Sequence, residues 1–308
     1  DCACVHGLPE DMIRAFRHDS HDALRLAPAA RRQQTQAEYK GNQEPHASFD
    51  SIVPELPEAE TIGRTLAAHA EGRRIESVEW LSTRVHRGRP PQLAGRTVRR
   101  VHRFGKAVLF DLDRGCLLVH LGMTGKLLWR GERGPYTRAV VILDRGEILF
   151  DDVRQFGSIR WCERPPAGLG PDPLEIGAHA FVERVQRHKG RIKPLLLNQG
   201  FLRGVGNIYA DEILFRAMIH PLAPASRLSE RRLRRLHKSM TELLEEAIAQ
   251  GGSSISDYVD ATGREGSFQL RHQVYGREGQ PCPRCGASIC RILVAQRGTH
   301  YCPRCQRT

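Results

Sequence analysis

The patterned part of this chain opens with the run Pro54-Glu55-Leu56-Pro57-Glu58-Ala59-Glu60. Pro57 suits the first turn of a helix, because that position needs no backbone N–H donor. Small and apolar residues then recur at helical spacing up to a glycine that can end the helix: Ala59, Ile62, Leu66, Ala70 and Gly72. The run therefore predicts an amphipathic helix that leads into the fold.

The sequence before this run predicts no fold of its own. The stretch from Ala27 to His46 is rich in Gln, Arg, Pro and Ala and has few large apolar residues to bury. We interpret residues 1–53 as a disordered or non-native extension. Val53 is then a candidate start residue, and its removal would leave Pro54 as the amino terminus.

Charge divides the chain at the same place. Residues 1–53 carry six Lys or Arg against eight Asp or Glu, so the overall charge of +12 leaves +14 for residues 54–308. Such a basic balance favours a polyanionic partner, although a merely basic soluble protein is the alternative. No apolar stretch approaches the ~20 residues of a membrane span, and no signal peptide is visible. We expect a cytoplasmic protein.

Short β runs separated by turn residues follow the first helix between Ile75 and Cys162. The clearest are Val98 to Val101, Ala107 to Leu112, Cys116 to Leu121, Val140 to Leu143 and Ile148 to Phe150, with Asp144-Arg145-Gly146 as a hairpin turn. They predict a β-sandwich or barrel domain over residues 54–164.

Helical spacing returns after the Pro- and Gly-rich stretch 165–173, which reads as a linker. The clearest helix begins at Ser229 and ends at Gly251-Gly252. Its predicted buried face contains Leu233, Leu236, Met240, Leu243, Leu244, Ala247 and Ile248. We expect a helical domain over residues 174–266, so the whole fold is of the α+β multidomain type.

Two Cys-x-x-Cys pairs, Cys282/Cys285 and Cys302/Cys305, are separated by 16 residues near the end of the chain. Four thiolates at this spacing predict one tetrahedral Zn²⁺ with no open position, hence a structural role in a β-ribbon over residues 273–308. The scattered remaining cysteines favour a reducing compartment over disulfides. Cys290, between the pairs, is interpreted as a small buried apolar residue.

Four separated segments resemble the formamidopyrimidine-DNA glycosylases. They are the run Pro54 to Glu60, His120-Leu121-Gly122-Met123-Thr124-Gly125, the stretch Gly204 to Glu212 in the place of their helix-two-turn-helix, and Gln273 to Arg277 followed by the cysteine quartet with Gln296 to Thr299. The resemblance covers residues 54–308 and none of 1–53. Leu56 is similar to the oxidised-purine glycosylases, whereas the related endonuclease VIII branch usually has Gly there.

The resemblance implies a bifunctional DNA glycosylase and abasic-site lyase of base excision repair, specific for 8-oxoguanine and formamidopyrimidines. Pro54 would attack the sugar C1′ and form an iminium that permits β- and δ-elimination, because a terminal amine is far less basic than lysine. Glu55 would act as general acid on the ring oxygen. Glu58 would position the amine, and Glu212 would position a helix. Taken alone, Glu58 reads as a carboxylate that stabilises the first turn of a helix, and Glu212 reads as a solvated charge on a helix.

The same resemblance implies how damaged duplex DNA is held. Lys106, Asn207 and Arg297 would contact phosphates, and Met123, Arg154 and Phe156 would fill the void left by the flipped nucleotide. Taken alone, Lys106 reads as an ordinary turn lysine, and Met123 and Phe156 read as core residues. Gln155 and Val153 depart from the family pattern, which usually has a basic residue and a proline. The loop between Gly251 and Gln273 is expected to contact the flipped base.

Two other functions remain open at this point. If Val53 stays attached, the Pro54 nitrogen is an amide, and the protein becomes a zinc-containing binder of damaged DNA without catalysis. The third possibility is a glycosylase for oxidised pyrimidines of the endonuclease VIII type. We favour the purine enzyme, acting as a monomer on the bacterial nucleoid.

Overall fold

The computed structural model describes residues 53–86 and 90–307, so the interpretation of residues 1–52 lies outside the described part. Helix α1 spans Leu56–Ala70 and has Pro57 in its first turn, as the sequence predicts. The backbone N–H of Glu55 donates to the Glu58 carboxylate at 2.9 Å, which satisfies one donor at the helix start. Gly72, with φ of +78°, ends the helical segment.

Eight strands form two antiparallel four-stranded sheets, with orders β1-β6-β7-β5 and β2-β3-β4-β8. Their bounds are β1 Ile75–Trp80, β2 Val98–Phe104, β3 Ala107–Leu112, β4 Cys116–His120, β5 Gly125–Trp129, β6 Thr137–Leu143, β7 Gly146–Asp152 and β8 Ser158–Cys162. All five β runs singled out in the sequence are strands, and residues 144–145 link β6 to β7. The predicted β-sandwich is confirmed.

Four α-helices occupy the next part of the chain: α2 Ala178–Gln186, α3 Ile192–Leu197, α4 Asn207–Arg216 and α5 Glu230–Ala249. The Ser229 hydroxyl caps α5 by accepting from the N–H of Arg232. Six of the seven residues predicted for its apolar face are buried, and Ile248 packs half-buried beside them. A short 3₁₀ helix, Phe268–Arg271, precedes the cysteine-rich region.

The C-terminal ribbon contains β9, Cys290–Val294, and β10, Arg297–Tyr301. Ala295 and Gln296 turn the chain between them, both with positive φ, as a two-residue hairpin of this hand requires. Cys290 is half-buried at the start of β9, whereas its neighbour Ile289 is buried. The interpretation of Cys290 as a buried residue was therefore wrong.

The three regions share side chains across their borders. Leu56 of α1 is buried in the apolar cluster of the helices, while Tyr258 and Ala261 belong to that of the β-sandwich. Phe215 of α4 packs in the ribbon cluster with Cys282 and Cys302. No helix of the described residues is both long and apolar enough to cross a membrane.

Candidate active site and nucleic-acid interface

Glu55 joins the start of the sandwich region to the first turn of α4. Its buried carboxylate accepts hydrogen bonds from the backbone N–H groups of Ile208 at 3.0 Å and Tyr209 at 3.4 Å. The N–H of Leu56 donates to the carbonyl of Gly204 at 3.0 Å, just before the same helix. A Cβ on Gly206 would overlap the Glu55 carboxyl group, so only glycine allows this approach.

The surroundings of Glu55 suit proton transfer near neutrality. The pKa of its carboxyl is raised to about 7, chiefly by burial and to a smaller extent by the neighbouring Glu58. Lys106 and the two helix N–H groups act in the opposite direction but do not cancel the cost of burying the charge. A carboxyl with this pKa can donate a proton at the pH of a cell.

Lys106 lies in the turn between β2 and β3 and reaches the same place. The Nζ atom of Lys106 and the Glu55 carboxyl group both lie against Gly206. A Cβ atom added to Gly206 would be only 2.5 Å from this Nζ atom. Burial and the charge of Arg297 lower its pKa, while Glu55 and Glu58 raise it. Lys106 is therefore not the ordinary solvated turn lysine that was the alternative interpretation.

Glu58 lies beneath the Pro54-Glu55 segment and is fully engaged. Besides the N–H of Glu55, it accepts from the N–H of Ser253 at 2.7 Å and the hydroxyl of Tyr209 at 2.5 Å. A Cβ on Gly252 would lie 2.8 Å from its carboxylate. Burial raises the Glu58 pKa in spite of these donors. Sequence reasoning missed Tyr209 and Ser253, because neither belongs to a motif that predicts this contact.

A cavity of about 270 Å³ is lined by residues from widely separated parts of the chain. Four of the predicted site residues line it: Glu55, Lys106, Asn207 and Arg297. His120 and Tyr275 also line it, and neither was singled out as a site residue. Both lie inside segments that carried the family resemblance, which was the available signal.

Pro54 and Met123 line a narrower neighbouring cavity with Glu58, Ser253 and Tyr258. Pro54 is buried, whereas Met123 is half-buried. Val53 contacts both cavities and, in this chain, its carbonyl carbon is bonded to the Pro54 nitrogen. The structure thus brings Pro54 next to the Glu55 site without placing both in one cavity.

The loop between β7 and β8 presents Arg154 and Phe156. Phe156 is 50% exposed, and the Arg154 guanidinium stands 4.8 Å from the centre of its ring. The interpretation of Phe156 as a core residue is therefore wrong. Buried Asp152 accepts from the Thr124 hydroxyl and from the N–H of Gly157, which ties this loop to the one that carries Met123.

Asn207 and Arg297 come together because the ribbon hairpin is bonded to α4. The Asn207 amide donates to the carbonyl of Gly298 at 3.0 Å, and the buried ammonium of Lys193 lies 2.6 Å from the Asp211 carboxylate. Asp211 also accepts from the backbone N–H of His300 at 2.8 Å. Within the described residues, the buried Oδ1 of Asn207 has no hydrogen-bond partner.

Glu212 is buried and acts as an anchor for the chain that enters the ribbon. Its carboxylate accepts from the backbone N–H groups of Gln273, Val274 and Tyr275, at 2.8 to 3.0 Å. The alternative of a solvated helix charge was wrong. A helical position in the sequence does not reveal which chain segment packs against it.

The four predicted zinc ligands form one cluster. The sulfur atoms of Cys282, Cys285, Cys302 and Cys305 all lie within 4.8 Å of one another. Tetrahedral zinc with Zn–S bonds of about 2.3 Å requires sulfur atoms about 3.8 Å apart, so the cluster fits the metal. All four tetrahedral positions are taken by protein, which makes this a structural centre.

Known sequences match this chain from Val53 onwards. The formamidopyrimidine-DNA glycosylase N-terminal domain matches residues 53–159, the H2TH domain of the same proteins matches residues 169–259, and the zinc finger found in FPG and IleRS matches residues 279–308. The formamidopyrimidine-DNA glycosylase of Solibacter usitatus is 52% identical over 264 residues, which cover 83% of this chain and all of that protein. The chain belongs to the formamidopyrimidine-DNA glycosylase family.

Solved structures of this family superpose on the chain. The MutM (Fpg) protein of Thermus thermophilus, 42% identical, gives a TM-score of 0.73 over 82% of this chain and 98% of its own. The Lactococcus lactis Fpg in complex with DNA that contains an abasic site, 35% identical, gives 0.75 over 82% of this chain and all of its own. The family's zinc finger and the four-cysteine cluster together identify one structural zinc.

Proposed function

We propose that this chain is a bifunctional DNA glycosylase and abasic-site lyase that excises oxidised purines from duplex DNA. The observation that carries the proposal is the meeting of the Pro54-Glu55 segment with the start of α4. There a carboxyl of pKa about 7 stands beside a cationic cavity lined by Lys106 and Arg297. Solved Lactococcus lactis relatives hold DNA with an abasic site or a formamidopyrimidine lesion, which supports the same class of substrate.

Pro54 is the proposed nucleophile once its nitrogen is free. Its secondary amine forms a bond to C1′ as the bond from C1′ to the damaged base breaks, and the base leaves with a proton. Glu55 protonates the ring oxygen, the sugar opens, and the amine loses its proton to give an iminium. Water removes a C2′ proton, the electron pair of that C–H bond passes to the iminium, and the resulting enamine expels the 3′ phosphate. A second elimination expels the 5′ phosphate, and hydrolysis of the remaining imine frees Pro54.

Glu58 has a positioning role in this proposal. It holds the Glu55 N–H, and with it the peptide that links Pro54 to Glu55, between Tyr209 and Ser253. Reacting groups must be aligned to within fractions of an ångström for such a step to be fast. A buried carboxylate with three fixed donors supplies that alignment.

The remaining predicted residues are proposed to hold the DNA. Lys106, Asn207 and Arg297 line the cavity of Glu55, where cationic and amide groups can hold the phosphates beside the lesion. Extrusion of a nucleotide costs a few kcal/mol. Met123, Arg154 and Phe156 offset that cost by filling the gap, and the exposed ring of Phe156 suits this role.

We assign the β-sandwich domain to residues 54–164, the helix-two-turn-helix domain to 174–266 and the zinc ribbon to 273–308. One copy of the chain contains every group that the proposal needs, which supports a monomer. A protein that acts on damaged chromosomal DNA works in the bacterial cytoplasm, at the nucleoid.

A catalytically silent binder of damaged DNA is the second candidate. Val53 contacts both cavities, and as long as it acylates the Pro54 nitrogen no covalent step is possible. The zinc ribbon and the basic cavity do not depend on a free amine. This form would bind lesions without cutting the strand.

Borohydride trapping on an 8-oxoguanine duplex separates the two candidates. Natively expressed protein is compared with the 308-residue chain and with a chain that starts at Pro54 and has an acetylated amine. We expect an adduct whose protein mass begins at Pro54, and none from the two blocked forms. Binding without an adduct in all three would establish the silent binder.

A further inference from the structure

A second, larger cavity of about 690 Å³ lies at the other end of α4 from the reaction site. Asn207 and Ile208 line the reaction cavity, whereas Phe215 and Arg216 line this one. At 1.5 Å of rise per residue, these ends of α4 are about 12 Å apart. The segment 273–275 separates the cavities in the same way, with Gln273 on one side and Tyr275 on the other.

The lining of this cavity is part apolar and part charged, and the cavity is partly open to solvent. Its apolar part consists of the buried side chains of Phe215, Leu243 and Phe268 together with Pro283 and Leu270. Leu270 at the rim is 85% exposed, more than any other large apolar side chain of the described residues. Leu270 and the apolar part of the lining together offer one surface that a partner's apolar side chain can contact.

Three arginines and two glutamates line the cavity, so its border has a small excess of positive charge. Arg216 is already paired with Glu246 at 2.6 Å, and Glu212 is occupied by three backbone N–H groups. In the described parts of the chain, neither Arg271 nor Arg284 forms an ion pair, although Arg271 is close enough to lower the pKa of Glu246. The Arg284 guanidinium instead lies 4.7 Å from the centre of the Phe215 ring, spread over an apolar wall.

The basic surface continues along α5 beyond Arg284. Burial, together with Arg232, Arg231 and Arg284, lowers the pKa of Arg235. The buried Nε of Arg235 has no hydrogen-bond partner among residues 53–86 and 90–307. Like charges that stand this close favour the binding of an anionic partner.

We propose that this cavity, with its arginine border, docks an acidic peptide segment of a partner protein that carries one bulky apolar side chain. The apolar side chain enters between Phe215, Leu243 and Phe268, and Leu270 closes over it. Carboxylates of the peptide pair with Arg271 and Arg284, and further acidic residues extend towards Arg235. Because the cavity lies at the far end of α4, the partner and damaged DNA bind at the same time.

A random heptapeptide library displayed on beads tests this inference. The protein is presented in complex with a duplex that contains a tetrahydrofuran abasic analogue, which occupies the reaction site. We expect enriched sequences with several Asp or Glu and one aromatic or branched apolar residue. Binding of a selected, fluorescein-labelled peptide is then measured by anisotropy at a fixed salt concentration.

Leu270→Asp and Arg271→Glu should each lower the affinity of the protein for that peptide by about tenfold or more, equivalent to about 1.4 kcal/mol. Arg145→Glu, on the exposed turn between β6 and β7, is the matched control for the charge and should leave peptide binding unchanged. Leu270 and Arg271 belong to the loop that is expected to contact the flipped base, so trapping of 8-oxoguanine DNA is measured separately for each variant, and peptide binding is compared only among DNA-bound proteins. Leu270→Ala provides a second test in which no charge is introduced.

The proposal is overturned by no enrichment, by enrichment of basic or uncharged sequences, by binding that is insensitive to both the Leu270 and the Arg271 variants, or by displacement of the peptide by the abasic duplex itself. Complete competition by a single-stranded oligonucleotide of equal charge would also overturn it. In that case the arginines form a surface that binds nucleic acid.

Discussion

The carboxylate of Glu55 accepts a hydrogen bond from the backbone N–H of Ile208 at 3.0 Å, across 153 residues of sequence. A helix start is a favourable place for a negative charge and would by itself lower the pKa of a carboxyl. Complete burial acts in the opposite direction and is the larger effect, so the pKa rises to about 7. The hydrogen bond therefore fixes the position of the carboxyl group, while burial keeps the group partly protonated near neutral pH.

Gly206→Ala should abolish most of the proposed catalysis without unfolding the protein. The new methyl group would overlap the Glu55 carboxyl group and approach Lys106, so both must shift. A misplacement of about 1 Å costs on the order of 100-fold in rate. Gly177→Ala, at the start of α2, is the control because its added Cβ meets nothing within 4 Å. Equal single-turnover rates for both variants would contradict the role given to Glu55.

The pH dependence of base excision should reflect the ionisation of Glu55. A general acid must be protonated, so the single-turnover rate should fall as pH rises through about 7. Lys106 lowers the pKa of Glu55, and Lys106→Met should therefore move this alkaline limb to higher pH. Glu55→Gln should remove the limb and most of the rate. A limb that stays in place in Lys106→Met would show that another group titrates.

Removal of zinc should weaken DNA binding more than it disturbs the β-sandwich. The ribbon cluster around Cys282 and Cys302 has few apolar residues, so the hairpin that carries Arg297 depends on the metal. We expect one zinc per chain by elemental analysis and none after Cys302→Ser, with a loss of affinity for an abasic duplex. Cys290→Ser, half-buried and outside the cluster, should keep both zinc and affinity.

Glu212→Ala should be among the most destabilising single substitutions on α4. It would leave the N–H groups of Gln273, Val274 and Tyr275 without their acceptor in a buried place. Unpaired buried donors cost about 1–3 kcal/mol each, so we expect a loss of about 3 kcal/mol or more in urea unfolding. Glu245→Ala, on the exposed face of α5, should change stability by less than about 0.5 kcal/mol.

The elements that the sequence predicted best are those with a local signal. The apolar spacing of α1 and α5 and the spacing of the four cysteines depend only on residues close together in the chain, and all three predictions were confirmed. The resemblance, and not composition, supplied Lys106, Asn207 and Arg297, which meet in one cavity only after folding.

Contacts between distant segments could not be predicted. The partners of Glu58 come from α4 and from residue 253, and no periodicity links those positions. Without the resemblance, Glu212 reads as an ordinary charged helix residue, because its partners lie about sixty residues further along the chain. Taken alone, Phe156 reads as a core residue because aromatic rings are usually buried, and only the folded loop shows that this ring is half exposed.

The length of helix α4 sets the distance and the rotation between the reaction site at its first turn and the ribbon at its last turn. Backbone N–H groups in its first turn bind the Glu55 carboxylate. Asp211 accepts a hydrogen bond from the ribbon, and Glu212 accepts hydrogen bonds from the chain that leads into the ribbon. Phe215 packs against the cysteine cluster. Each added residue would rotate everything after it by about 100° and lengthen the helix by 1.5 Å. Substitutions along α4 can therefore be compensated by neighbouring side chains, but a single insertion or deletion would dismantle the reaction site and the ribbon together.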